Sequence, residues 1–264
     1  GGGADADAAA VKAAAVPHTP IDLAHELSAR GVAERLTFAV PAFVYFAKNN
    51  LVFLGLKLMD PVSFQLLGNM KILTTALLFR VIMRRPLTDL KWISLLLLAV
   101  GLAYTQLKDD ARLSVAPSGL VVMLLIATLS GLGGVSTEYL MKANPRRRSE
   151  SLHLQNAWLY FYGMLFNLLA IVLDDWDSVV ANGFFHGYSA VTVVVLFNNS
   201  FSGLAVSAIM KYSNNLVKLF TFATSLLLTT SLSVLFFGYR LTPQFVLGAV
   251  VVFVSLYLYN RRGA

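Results

Sequence analysis

Lys71 is the residue whose position most demands chemistry. It lies about ten residues into an apolar run of 23 residues, 61–83, so it falls near the middle of any bilayer that run would cross. A lysine at that depth costs about 2.5–3.5 kcal/mol on insertion scales, and its ammonium reaches neither interface easily. Something must offset the cost. Either Glu138 or another acid pairs with it, or it faces a wet cavity that receives an anion, and the second is the preferred expectation. Lys218, at the start of the apolar run 217–237, is the second candidate. A helix N-terminus already favours anions through its free N–H groups, although an end-of-helix lysine reaching for the interface would read the same.

The surroundings of the two lysines are related. Lys71 follows Asn69 and precedes Ile-Leu-Thr-Thr; Lys218 follows Asn215 and precedes Leu-Phe-Thr-Phe-Ala-Thr. The runs end in Arg-Pro-Leu-Thr and Tyr-Arg-Leu-Thr. This is weak evidence for an internal repeat. Membrane proteins built from repeats place their binding site at the repeat interface, near the midplane. Two cations from two repeats would suit a polyanion such as a diphosphate.

Other polar residues interrupt the apolar runs. They are Lys48, Asn49 and Asn50; Gln65 and Asn69; Glu138; Gln155, Asn156 and Tyr160; Asn198, Asn199 and Ser200; and Lys211, Asn214 and Asn215. Each has a plainer explanation. The paired asparagines could bond across helices, worth about 0.6 kcal/mol each on average. Lys48, Lys142 and Lys211 are read as lysines near helix ends or snorkelling to an interface. Trp158, Tyr160 and Tyr162 could be packing aromatics. Ser130-Gly131-Leu132-Gly133-Gly134 would let helices approach closely or let one bend.

The elements that must hold these residues follow from hydropathy. The 264 residues are 57% hydrophobic and 13% charged, with a mean hydropathy of +0.67. A soluble domain is nearer half apolar and a quarter charged, so this chain needs lipid against much of its outside. The expected fold is all-α, a polytopic membrane bundle of about eight helices over 38–58, 61–83, 91–107, 118–141, 152–173, 189–210, 217–237 and 243–260, each near the 17–25 residues a span requires. Asp60-Pro61, Arg85-Pro86, Pro117, Asn144-Pro145 and Pro243 mark the boundaries. Residues 1–20, rich in Gly and Ala, read as a disordered start, and 21–37 as an interfacial or linker helix. The transmembrane domain is therefore 38–264, after a start and linker over 1–37.

Charge sets orientation. Arg84, Arg85 and Lys91, then Lys142 and Arg146 to Arg148, then Arg261 and Arg262 fall on one side, which predicts that both chain ends are cytosolic. The opposite side carries Lys57, Lys108, Arg112, Arg240 and the acidic turn Asp174, Asp175, Asp177. A net charge of +7 could suggest nucleic acid in a soluble domain, but here the basic residues sit in short loops between apolar runs, so no nucleic-acid partner is expected. There is no cysteine, and four scattered histidines lack ligand spacing, so no metal or other cofactor is called for. No acid/base constellation suggests an enzyme.

The segments VPAFVYFAKNNLVFL, NMKILTTALLF, EYLMK, LQNAWLYFYG, GFFHGY, KYSNNLVKLF and LGAVVVFVSLYLY together resemble the nucleotide-sugar transporters of the drug/metabolite transporter superfamily. The closest look is to the CMP-sialic acid/UDP-sugar branch and its plant-type members. The resemblance implies ten helices in two inverted halves, exchanging a cytosolic nucleotide sugar for a lumenal nucleoside monophosphate by alternating access in the Golgi or endoplasmic reticulum membrane. By the same resemblance Lys71, beside Asn69, and Lys218 would contact phosphates. Asn49, Asn50, Asn156, Tyr160 and Phe64, with Tyr45 from the first of these segments, would surround the nucleoside. Gly68 replaces a family aromatic, and Tyr162 replaces a small polar residue of animal members. Residues 21–37 look like the linker before the family's third helix, so the chain is expected to lack the first two helices. The base, the sugar and a homo-oligomeric state stay open. The competing expectations are another metabolite transporter of the superfamily and a non-transporting membrane protein that binds a partner.

Overall fold

A computed structural model describes residues 29–107, 117–143, 145–237 and 241–261. Among them are twelve helices and no strand. They are α1 (Ala29–Leu36), α2 (Ala39–Leu58), α3 (Pro61–Gly68), α4 (Met70–Ile82), α5 (Asp89–Thr105), α6 (Pro117–Lys142), α7 (Pro145–Ser149), α8 (Leu152–Asp174), α9 (Trp176–Asn182), α10 (Ala190–Tyr212), α11 (Asn215–Phe237) and α12 (Pro243–Asn260). The expected disordered start, 1–20, and much of the expected linker helix lie outside the described residues.

Seven helical stretches of 18 residues or more are apolar enough to cross a membrane, with α3 and α4 counted as one stretch, Pro61–Ile82. At 17 residues α5 is the eighth and shortest. It needs no greater length to span, since 17 residues is the lower bound for a crossing. The punctuation read from sequence works as expected. The Asp60 carboxylate caps α3, accepting the N–H groups of Val62 and Ser63 at 3.0 and 2.9 Å, with Pro61 in the first turn. Thr242 caps α12 by accepting the N–H of Phe245 at 3.2 Å.

The second span is not continuous. It breaks at Asn69, between α3 and α4. There Asn69 N–H donates to Leu66 and Ile72 N–H donates to Asn69, each to the carbonyl three residues back. Such 3₁₀ turns inside a span mark a kink. Lys71 is the second residue after the break.

The helices pair in an order that echoes the suspected repeat. The lysine-bearing helices α4 and α11 pack together, and the helices that follow them, α5 and α12, form the tightest pair in the molecule. Gly101 and Gly248 make that pair possible: a Cβ on Gly248 would stand 2.7 Å from both the Gly101 carbonyl oxygen and the Thr105 nitrogen. Backbone approach of this kind is how small residues drive association in lipid. Ser255 Oγ ties the pair by donating to the Ser94 carbonyl at 2.6 Å.

Central to the bundle, α6 touches α2, α4, α10 and α11. Its glycines settle the choice between packing and hinge in favour of packing, because α6 runs unbroken through them. A Cβ on Gly131 would lie 3.0 Å from the Thr75 backbone of α4, one on Gly133 would lie 2.9 Å from the Tyr45 ring of α2, and one on Gly134 would lie 2.7 Å from the Asn215 amide of α11. Outside, α10 shows Val191, Val194, Phe197 and Phe201, the apolar face expected against lipid.

Candidate functional site

Two adjoining cavities hold most of the residues singled out by sequence. The first, of about 510 Å³, has Phe64, Asn69 and Lys71 in its wall, together with Gln65 and Gln106. The second, of about 560 Å³, has Tyr45, Asn49, Tyr160 and Lys218. Phe222 of α11 lines both and separates them. A third cavity, of about 430 Å³, lies among Pro61, Leu107 and Thr242 and shares Gln65, Gln106 and Leu226 with the Lys71 cavity. The Lys71 cavity therefore shares walls with the cavity at that end of the bundle and, across Phe222, with the Lys218 cavity.

The opposite end, rich in Lys and Arg, is sealed. Arg35 of α1 forks onto the Glu150 carboxylate between α7 and α8 with two hydrogen bonds, one of 3.0 Å, and both residues are buried. Lys211 of α10 donates to the Glu150 carbonyl and, at 3.1 Å, to Gln155 Oε1. Gln155 Nε2 donates to the Arg147 carbonyl at 2.6 Å, and Arg147 donates to the Glu34 carbonyl at 2.7 Å. Lys142 and Lys211 do stand at helix ends as expected, but they bind carbonyl and carboxylate oxygens rather than reaching for an interface.

Glu138 is not the partner of Lys71. It pairs with Lys142 at 2.9 Å and accepts the Asn215 N–H at 2.7 Å. Asn214 Oδ1 meanwhile accepts the Val217 N–H at 2.9 Å. The first turn of α11 is thus occupied by protein oxygens, so what remains for an external anion is the Lys218 ammonium itself. Among the described residues no carboxylate pairs with Lys71 or Lys218.

Lys48 also departs from expectation. It is the tenth residue of the 20-residue α2, far from either end, and its ammonium donates to Asn49 Oδ1 at 2.9 Å. It lies within electrostatic reach of both Lys71 and Lys218. The paired asparagines make no bond across helices. Asn49 accepts from its neighbour, and Asn50 turns back to donate to the Phe46 carbonyl at 2.9 Å. Asn50 lines neither cavity. Nor do Asn198, Asn199 and Ser200 face the interior; they are exposed on α10, with Ser200 bonded to its own Leu196 carbonyl.

Asn156 is 1% exposed, and among the described residues neither its Oδ1 nor its Nδ2 has a partner. It lies beneath the sealed end, beside Gln155, and outside both cavities. Asn215, fully buried, is likewise unpartnered through its side chain and abuts Gly134 together with Lys218 Nζ. Sequence reading noted Asn215 as polar without giving it a role, and passed over Phe222. The signal for Asn215 was its place beside a lysine in an apolar run; nothing in the types or spacing distinguishes Phe222 from a lipid-facing aromatic.

A bundle of spanning helices thus holds lysine-lined cavities, with an ion pair and hydrogen bonds joining its helices at the Lys- and Arg-rich end. The model of the nucleotide-sugar transporter family matches residues 17–260, and the chain belongs to that family. It is 40% identical over 225 residues to CMP-sialic acid transporter 2 of Oryza sativa subsp. indica, covering 84% of this chain and 62% of that one. It is 40% identical over 225 residues to CMP-sialic acid transporter 4 of Arabidopsis thaliana, covering 84% and 63%. It is 34% identical over 247 residues to the UDP-galactose translocator of Mus musculus, covering 91% and 62%. The chain thus spans somewhat under two thirds of the length of these relatives, all of them transporters by name.

Proposed function

We propose that the protein is an antiporter that exchanges a pyrimidine nucleotide sugar for a nucleoside monophosphate. The observation that carries this is the pair of ammonium groups, Lys71 and Lys218, in adjoining cavities with no carboxylate partner. Cations within a span that lack a carboxylate partner are usually functional, and the phosphate of a CMP-sugar or the diphosphate of a UDP-sugar would supply the missing counter-charge. The names of the relatives, which couple either CMP or UDP to a sugar, support a pyrimidine base.

In this reading the phosphate or diphosphate lies between Lys71 and Lys218, past Phe222. Asn69, whose Nδ2 is 3.4 Å from both the Gln65 carbonyl and Gln106 Oε1, holds the break that presents Lys71. Phe64 flanks it. The nucleoside is received by Tyr45, Asn49 and Tyr160, whose hydroxyl stands over Gly203 of α10. Asn156 joins them when the sealed end opens and its bare amide finds a partner, and Asn50 would have to release the Phe46 carbonyl to do so.

Alternating access then has a physical form. The charge bias makes the sealed end cytosolic, so the arrangement described is open toward the lumen. Loading from the cytosol requires Arg35 to leave Glu150. The Golgi membrane, or that of the endoplasmic reticulum, is the setting this function requires.

Counterflow in proteoliposomes containing the full-length protein tests the proposal. Vesicles preloaded with CMP or UMP should accumulate labelled CMP- or UDP-sugar, and empty vesicles should not. Accumulation driven instead by a phosphorylated metabolite, with no competition from either monophosphate, would reject the nucleotide-sugar reading.

A further inference from the structure

Lys48 is a third cation that the pair described above does not use. It is half-buried at the centre of α2 and no carboxylate pairs with it among the described residues. Its one hydrogen bond, to Asn49 Oδ1, fastens it to a residue in the wall of the Lys218 cavity. One turn before it on the same helix, the Tyr45 ring is seated on Gly133, which sets α2 firmly against α6. The ammonium lines neither cavity itself but is held on Asn49, in the wall of the Lys218 cavity.

The charges do not balance within the protein. Lys48 and Lys71 repel one another, and both repel Lys218. Glu138, the acid whose field reaches Lys218, is already committed to Lys142 and the Asn215 N–H. Three positive charges thus gather around the two cavities, Lys71 exposed and Lys48 and Lys218 half-buried, with no carboxylate paired to any of them among the described residues. A diphosphate brings two negative charges. A third has to come from elsewhere in the ligand.

We propose that Lys48 is a specificity-determining residue that reads the charge of the sugar, so that the site favours a nucleoside diphosphate linked to an anionic sugar, such as a uronate, over one linked to a neutral hexose. This rests on the nucleotide-sugar reading of the Lys71–Lys218 site. The diphosphate faces Lys71 and Lys218, and the sugar carboxylate faces Lys48 after displacing Asn49 from it.

Equilibrium binding to the purified full-length protein tests it, with UMP and CMP as reference ligands and UDP-glucose and UDP-glucuronate as the compared pair. The parent should bind the uronate on the order of tenfold more tightly than the glucose form, the scale of a close charge pair. Lys48→Gln should erase that preference by weakening UDP-glucuronate binding far more than UDP-glucose binding, and Lys48→Arg should keep it. Equal binding of the two sugars by the parent, or a preference unchanged in Lys48→Gln, overturns the proposal and leaves the nucleotide-sugar reading standing. A parent that binds no nucleotide at all overturns both.

Discussion

The Glu138 carboxylate accepts the backbone N–H of Asn215 at 2.7 Å while pairing with Lys142 at 2.9 Å. One buried acid therefore anchors the start of α11 to α6, three residues before Lys218. Removing one partner of a buried charge pair costs about 3–5 kcal/mol, because the other charge is stranded. Glu138→Ala should lower the thermal stability of the detergent-purified protein accordingly, and Glu138→Gln should do so less, since an amide still accepts the N–H. Unchanged melting of Glu138→Ala would show that the anchor contributes nothing.

Gly134 should tolerate no side chain. A methyl group there would stand 2.7 Å from the Asn215 amide and 2.9 Å from Lys218 Nζ. Overpacking of this kind costs about 1–3 kcal/mol, and here it displaces a proposed ligand of the substrate. Gly134→Ala should weaken nucleotide binding even where protein remains folded. Binding by Gly134→Ala equal to that of the parent would contradict the assignment.

Close approach at Gly248 holds α5 to α12. A Cβ there meets backbone atoms at 2.7 Å, which cannot rotate away. Gly248→Ala should destabilise the protein by about 1–3 kcal/mol while leaving the affinity of the remaining folded fraction unchanged. A loss of affinity without loss of stability would place the α5–α12 contact in the site instead.

The sealed end makes a labelling prediction. The chain has no cysteine, so a single Ser207→Cys in the wall of the Lys218 cavity can be probed alone. Glu150→Gln strips Arg35 of its buried partner, a loss of about 3–5 kcal/mol to the closed arrangement. Labelling of Cys at 207 by a membrane-impermeant reagent from the Arg-rich side should rise, and the charge-swapped pair Arg35→Glu with Glu150→Arg should bring it back down. No change in either variant would exclude Arg35–Glu150 as the barrier.

The spans were readable because lipid demands length and apolarity, and the spanning helices α5, α6, α8, α10, α11 and α12 begin and end within about two residues of the hydropathy boundaries. Two features were not readable. Gly68-Asn69 interrupts the second span yet leaves it apolar enough to cross a membrane, so the break that presents Lys71 is invisible to a window average. Asn49 and Asn50 were expected to bond across helices, yet they stay within α2, Asn49 accepting from Lys48 and Asn50 donating to the Phe46 carbonyl, which spacing cannot foretell. The candidate site was legible in its lysines, which cannot be explained away in a bilayer. The partner of Glu138 was not, since the contact joins residues 77 positions apart and uses a backbone N–H that every residue has.

The most direct measurement is nucleotide-sugar exchange by Lys71→Ala and Lys218→Ala in proteoliposomes, with reconstituted protein quantified for each. The account predicts that both lose exchange while remaining folded, and that Lys71→Arg retains only part of it because a guanidinium does not replace a compact ammonium. Exchange by Lys71→Ala at the rate of the parent would contradict it.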